Sequence, residues 1–161
     1  MSARPNAFQK LLHRFFMLRS VTAFFAPWIH NVDKAVLKLT KGKYTASGIL
    51  DWDIIQLTTI GAKTNQPRTM PLVALFDREK IALIASSLGR EHNPAWYYNL
   101  KKNPECDVQW KGRSSKYIAR EVEGNEYEKY WQLALSYYAG YEKYKERAGR
   151  KIPVIVLEPK G

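Results

Sequence analysis

The chain has 161 residues, 45% of them hydrophobic and 25% charged, which is the make-up of one globular domain with short additions rather than a disordered chain. Its formal net charge of +11 draws anions: nucleic acid, an anionic membrane face or a phosphorylated small molecule. Cys106 is the single cysteine, and His13, His30 and His92 lie far apart. No disulfide framework or histidine–cysteine metal site is therefore expected, and a reducing cytoplasm fits best.

From about Pro5 to Leu39 the pattern is helical and basic. Phe8, Leu11, Leu12, Phe15 and Phe16 recur at helical spacing with Lys10, His13 and Arg14 between them, and Asn31 is placed to cap a second helical stretch. Charges interrupt the start too often for a signal peptide, and the apolar run Val21 to Ile29 contains Pro27 and is too short to span a bilayer. Lys41 to Asp51 reads as a linker, broken by Gly42 and Gly48. Residues 1–50 are thus expected to form a basic amphipathic extension, and 51–161 the main domain.

From Trp52 the texture changes to strands. Ile54 to Ile60 is a β-branched run stopped by Gly61, and Arg68 to Phe76 reads as a second strand. Lys80 to Ser86 pairs with it as a hairpin across Asp77–Glu79. Pro94, at its favoured first helical position, opens a helix over 95–102. Val108 to Lys111 and Ser115 to Val122 form another hairpin about Gly112. A helix with a Trp/Leu/Tyr stripe covers 125–138, and Ile152 to Leu157 is the last strand. Five or six short strands with few helices predict a small, mostly antiparallel barrel. Neither common nucleotide-binding glycine motif is present, and no G-x-S-x-G or H-E-x-x-H occurs. Glu121 and Glu123 share a strand face and read as solvated.

Three segments carry chemistry. In Leu57–Leu72 a strand ends at Gly61, and a polar loop with Thr64 is flanked by Lys63 and Arg68. Exposed N–H groups, a hydroxyl and two cations suit a phosphate, although a plain hairpin loop has the same look. In Ala85–Leu100 a strand ends in Ser86 and Ser87, and Asn93 and Pro94 open a helix whose N-terminus favours anions. Trp96 offers a wall for a flat ring, or simply core packing. In Tyr137–Tyr144, tyrosines 138, 141 and 144 recur every three residues. Their hydroxyls can donate hydrogen bonds or a proton, or the stripe can be packing with wet tips.

Together the strings LTTIGAKTNQPRTMPL, ASSLGREHNPAWYYNLKKNP, YAGYEKY and IPVIVLEP resemble the deazaflavin-dependent nitroreductase family over roughly residues 50–159. That resemblance implies a split β-barrel of the FMN-binding-protein type, an α+β fold that is mostly β, with coenzyme F-420 as cofactor and FMN as the weaker choice. It assigns Lys63, Thr64 and Arg68 to the coenzyme's phosphate and Pro71 and Leu72 to the deazaflavin or its ribityl chain. Ala85, Ser86 and Ser87 supply backbone and hydroxyl contacts, and Asn93, Pro94, Ala95, Trp96 and Asn99 complete the wall. Tyr138, Tyr141 and Tyr144 match tyrosines that line the acceptor side, and so become candidate catalytic residues. Some members carry a lysine where this chain has Ser87, a departure for which Arg90 or His92 can compensate.

The implied activity is hydride transfer from reduced coenzyme F-420 to an electron-poor acceptor: an activated alkene, a quinone or a nitro compound. The rival reading is a non-catalytic carrier of coenzyme F-420, FMN or haem. The N-terminal helix can lie on an anionic membrane face, which would place the chain at the inner surface of the cell membrane, or it can pack on the barrel. A homodimer is open, because fold relatives often pair through the barrel. Specific nucleic-acid binding is not expected, since the cations are spread over helices, loops and tails.

Overall fold

The computed structural model describes residues 52–161; the expected basic helical extension and linker of residues 1–50 lie outside the described residues. Seven strands form one antiparallel sheet: β1 (Ile54–Ile60), β2 (Pro67–Val73), β3 (Leu75–Asp77), β4 (Lys80–Ile84), β5 (Glu105–Trp110), β6 (Arg113–Glu121) and β7 (Val154–Pro159). Three helices accompany them: α1 (Ala95–Lys102), α2 (Gly124–Tyr137) and α3 (Gly140–Ala148). Among the described residues no helix is long and apolar enough to cross a membrane.

The strand order is β2-β1-β5-β6-β7-β4-β3. Its two edges are successive pieces of one run of chain, joined at fully buried Ala74. The sheet therefore curls round on itself into a split barrel, with its two edges brought together where the chain passes from one to the other. The single strand expected from Arg68 to Phe76 is in fact two. The chain leaves β1 at Ala74, where its N–H turns to the Asp53 carbonyl at 2.8 Å, and re-pairs with β4.

Side-chain alternation divides the core. On β7, Ile155 and Leu157 point into the barrel beside Ile55, Leu57, Ile81 and Leu83. Val154 and Val156 point outward into a second core made with α2 and α3. All four are buried because both faces of β7 are covered. On α2 the buried positions Tyr127, Tyr130, Trp131 and Ala134 follow helical spacing and form the apolar stripe. Arg120 on β6 anchors the start of this helix with a two-pronged bond to Glu126, 2.7 Å on each prong.

Candidate cofactor-binding site

Strand register decides which loops meet. Ile60 lies opposite Pro67, Thr58 opposite Asp107, Glu105 opposite Ile118, Glu121 opposite Ile155, and Ile84 opposite Val154. One end of the barrel thus gathers the Gly61–Gln66 loop, the turn after β4, α1 leading into β5, and the lead-in to β7. The first two chemistry-bearing segments meet there.

The Gly61–Gln66 loop is closed by Gly61 N–H to the Gln66 carbonyl (2.9 Å) and Asn65 N–H to the Gly61 carbonyl (2.8 Å), with Asn65 left-handed at φ 52°. A Cβ on Gly61 would fall 2.5 Å from the Thr64 hydroxyl and 3.2 Å from the Gln66 carbonyl, so only glycine allows this tight root. Buried Asn99 pins the loop to α1: its Oδ1 accepts the Ala62 N–H at 2.9 Å and its Nδ2 donates to the Thr59 hydroxyl at 3.0 Å. Lys102 adds a bond to the Ala62 carbonyl at 2.7 Å. Thr64 accepts the Gln66 N–H at 3.4 Å. Lys63 and Arg68 are exposed and make no hydrogen bond or ion pair among the described residues. Their charges point outward from a rigid mount.

The Asn99 latch leads to a prediction. Asn99→Ala leaves the Thr59 hydroxyl and the Ala62 N–H without partners, at a cost of about 2 kcal/mol. Urea unfolding should show the midpoint falling with the slope unchanged; an unchanged midpoint would mean that the latch bears no load.

After β4 the chain passes through buried Ala85 and Ser86 into three left-handed residues, Ser87 (φ 49°), Leu88 (φ 58°) and Gly89 (φ 80°). Two of these are not glycine, and each costs roughly 1–2 kcal/mol. Gly89 and Arg90 return their N–H groups to the Ser86 and Ser87 carbonyls. The N–H groups of Ser87 and Leu88 have no backbone acceptor among the described residues. A right-handed Ser86 followed by a left-handed Ser87 makes the concave backbone arrangement that cups anions and carbonyl oxygens.

At α1 the expectation shifts by one residue. Pro94 is itself the N-cap, extended at ψ 155°, and no side chain caps the helix. Asn93, which precedes the proline, is therefore not in capping position; its Oδ1 is buried and has no partner among the described residues. Ala95 is exposed, whereas Trp96 is 4% exposed and packs in the barrel core together with Ala85, with Leu72 against them. Pro71 and Leu72 are half-buried on β2, opposite Gln56 and Ile55.

The tyrosines of the third segment are divided between two helices. Tyr138 ends α2, and Tyr141 and Tyr144 lie on α3. Their rings form a triangle with centroid separations of 5.8, 5.9 and 6.0 Å, and all three are buried. Trp52 packs edge-on against Tyr138 at 5.4 Å. Helix α3 presses on the turn after β4: a Cβ on Gly89 would meet the Tyr144 Cα at 3.2 Å. Helix α3, which carries Tyr141 and Tyr144, is thereby held against the Ser87 turn. Burial raises all three phenols above their usual range, and Tyr138 and Tyr144 share a hydrogen bond. They stay protonated at neutral pH, able to donate a hydrogen bond but weak as acids.

Three residues of this end were not singled out in the sequence. Tyr97 donates to Glu121 at 3.0 Å, and Lys101 pairs with the same oxygen at 3.0 Å. Glu121 is therefore engaged rather than solvated, because α1 crosses its strand end. Arg150 donates to the Ala85 and His92 carbonyls at 3.3 and 3.1 Å. Its signal in the sequence was a lone basic pair before the last strand, which no motif distinguishes from a surface charge.

Burial, followed by Glu121, pushes the Tyr97 phenol up to about 12; burial and Asp77 do the same for Tyr130. An unfolded phenol titrates near pH 10. The stability won by keeping these groups neutral is complete below about pH 10 and is lost as pH rises towards 12. Tyrosinate absorbance should show a class that ionises only with alkaline unfolding; simultaneous titration of all tyrosines in the folded state would refute this.

One end of this curled antiparallel split barrel carries cations and N–H groups that have no partner among the described residues. The chain belongs to the F-420H(2)-dependent quinone reductase family, whose model matches residues 28–159. An F-420H(2)-dependent quinone reductase of Mycobacterium tuberculosis is 36% identical over 104 residues, covering 63% of this chain and 70% of that one. The solved structure of an F-420-H2-dependent reductase is 38% identical, with a TM-score of 0.61, over 66% of this chain and 94% of that one. A domain-swapped dimer is 34% identical with a TM-score of 0.63, over 83% and 98%. The protein is thus an F-420-dependent oxidoreductase, not a carrier, and coenzyme F-420 is its cofactor.

Proposed function

We propose that the chain reduces a quinone with reduced coenzyme F-420, with nitro compounds and activated alkenes as further acceptors. The observation that carries the reading is the convergence of the Gly61–Gln66 loop, the Ser87 turn and the start of α1 at one barrel end. Quinone ranks first because the matching family and the mycobacterial relative bear that activity in their names.

The residues present fit the cofactor. Among the described residues, two cations without a partner suit a phosphate, two N–H groups without a backbone acceptor in a concave turn suit a carbonyl oxygen or an anion, and the unpartnered Asn93 Oδ1 suits an N–H donor. Lys63, Thr64 and Arg68 would hold the phosphate. Pro71, Leu72, Ala85, Ser86, Ser87, Asn93, Pro94 and Ala95 would line the ring and its chain. Trp96 and Asn99 act from behind that wall, one by packing and the other by holding the loop. When bound, the reduced coenzyme supplies a hydride, since its deazaflavin has carbon where a flavin has its reactive nitrogen. Tyr138, Tyr141 and Tyr144, kept protonated by burial, would orient the acceptor oxygen by hydrogen bonding. The site's remaining work is positioning and the exclusion of water. Pairing of two copies is part of this reading.

The test is titration of the protein into oxidised coenzyme F-420, followed by its fluorescence with FMN in parallel, then turnover of the reduced coenzyme with menadione. Saturable deazaflavin binding and quinone-dependent oxidation are expected. Binding without turnover on any quinone would remove the acceptor assignment.

A further inference from the structure

We infer that Arg150 is a positioning residue of the cofactor site, acting as a clamp between chain segments that no strand pairing joins. The clamp rests on the coenzyme-binding reading above. Helix α3 ends at Ala148, and Gly149, left-handed at φ 60°, turns the chain so that Arg150 faces the barrel end. From there one nitrogen, Nη2, donates to the Ala85 carbonyl at 3.3 Å and to the His92 carbonyl at 3.1 Å. Nη1 donates to the Lys151 carbonyl at 3.2 Å.

These acceptors are spread over the site. Ala85 is the residue from which the left-handed Ser87 turn springs, and His92 precedes Asn93, whose buried Oδ1 has no hydrogen-bond partner among the described residues. Between them, residues 86–91 form no ladder with the sheet. Arg150 is the side chain that ties the two ends of this excursion together. The guanidinium does this because the two N–H bonds of Nη2 diverge in one plane, one to each carbonyl, while Nη1 fixes that plane on the Lys151 carbonyl; a lysine ammonium has no second nitrogen to fix its direction. The Nε of Arg150 is buried without a partner among the described residues, so the group is held by its Nη1 and Nη2 bonds. Movement of α3, which carries two of the site tyrosines, is thereby coupled to the spacing of the cofactor wall.

The experiment compares wild type, Arg150→Lys and Arg150→Gln by fluorescence titration of oxidised coenzyme F-420, with thermal melting of each protein and with KM and kcat for the reduced coenzyme and menadione. Both variants are expected to bind the coenzyme more weakly, by on the order of tenfold. The KM for coenzyme should rise with them while the KM for menadione stays near wild type. If Arg150→Lys binds like wild type, charge alone suffices and the clamp is overturned. If both variants melt at lower temperature yet bind unchanged, Arg150 only stabilises the fold and the clamp is likewise overturned. If Arg150→Gln does not fold, the lysine variant decides. Failure of the wild-type protein itself to bind would remove the cofactor reading and the clamp together, whereas wild-type binding with unchanged variants removes the clamp alone.

Discussion

The double variant Lys63→Ala, Arg68→Ala is expected to bind coenzyme F-420 about 100-fold more weakly than wild type. Each side chain is exposed and unpaired among the described residues, so neither contributes appreciably to folding and both are free for an anion. A charge-assisted hydrogen bond to phosphate is worth roughly 1.5–3 kcal/mol, and two such bonds in a partly solvated site give about two powers of ten. The loss should carry an ionic-strength signature: wild-type affinity falls as salt rises and that of the double variant barely changes. Thermal melting should be the same for both proteins. Equal affinity at low salt would show that the phosphate is held elsewhere and would return the Gly61–Gln66 loop to being a hairpin connection.

The second large effect is one of stability. Gly140→Ala should destabilise the protein by at least 2 kcal/mol, at the upper part of the range for overpacked sites. Gly140 does not need its glycine for a left-handed backbone, since its φ is not positive. It needs it because the Tyr138 ring lies directly over its Cα, so that a Cβ would fall well inside the ring's van der Waals envelope. The ring cannot simply swing away. Trp52, Tyr141 and Tyr144 surround it. The alanine variant must therefore either separate α2 from α3 or push Tyr138 out of the cluster. Chemical denaturation measures the cost, and turnover of the reduced coenzyme reports whether the tyrosines remain ordered. A variant as stable as wild type would show that the ring tolerates displacement.

Much of this architecture was legible in the chain. The run Ile54–Ile60 and the helix Ala95–Lys102 appear with the bounds that residue type and breakers indicate. Both are governed by short-range rules: β-branched residues ended by glycine, and a proline that forbids helix before it. Failures came where distant contacts intervene. The break at Ala74 has no local signal, because alanine neither bends a strand nor stops one. It exists because the curled sheet must hand the chain from β1 to β4. Glu121 read as solvated because its engagement with Tyr97 and Lys101 depends on a helix about 20 residues earlier crossing its strand end.

By itself the sequence determined the residue types and their order: two cations flanking a glycine-rooted loop, paired serines ahead of a helix, and a stripe of tyrosines. Together with the motif strings these were enough to place the chain among deazaflavin-dependent proteins. It could not determine which of those residues face outward. Asn99 and Trp96 read like ligand contacts beside Asn93 and Ala95, and only the folded chain turns the first pair inward, as latch and core, and leaves the Asn93 oxygen unpartnered. Nor could it mark Arg150, whose meaning lies in carbonyls 65 and 58 positions away. The physical reason is the same in each case. Backbone preference is set by near neighbours, but the partner of a polar side chain is set by strand register, which brings distant segments to one end of the barrel.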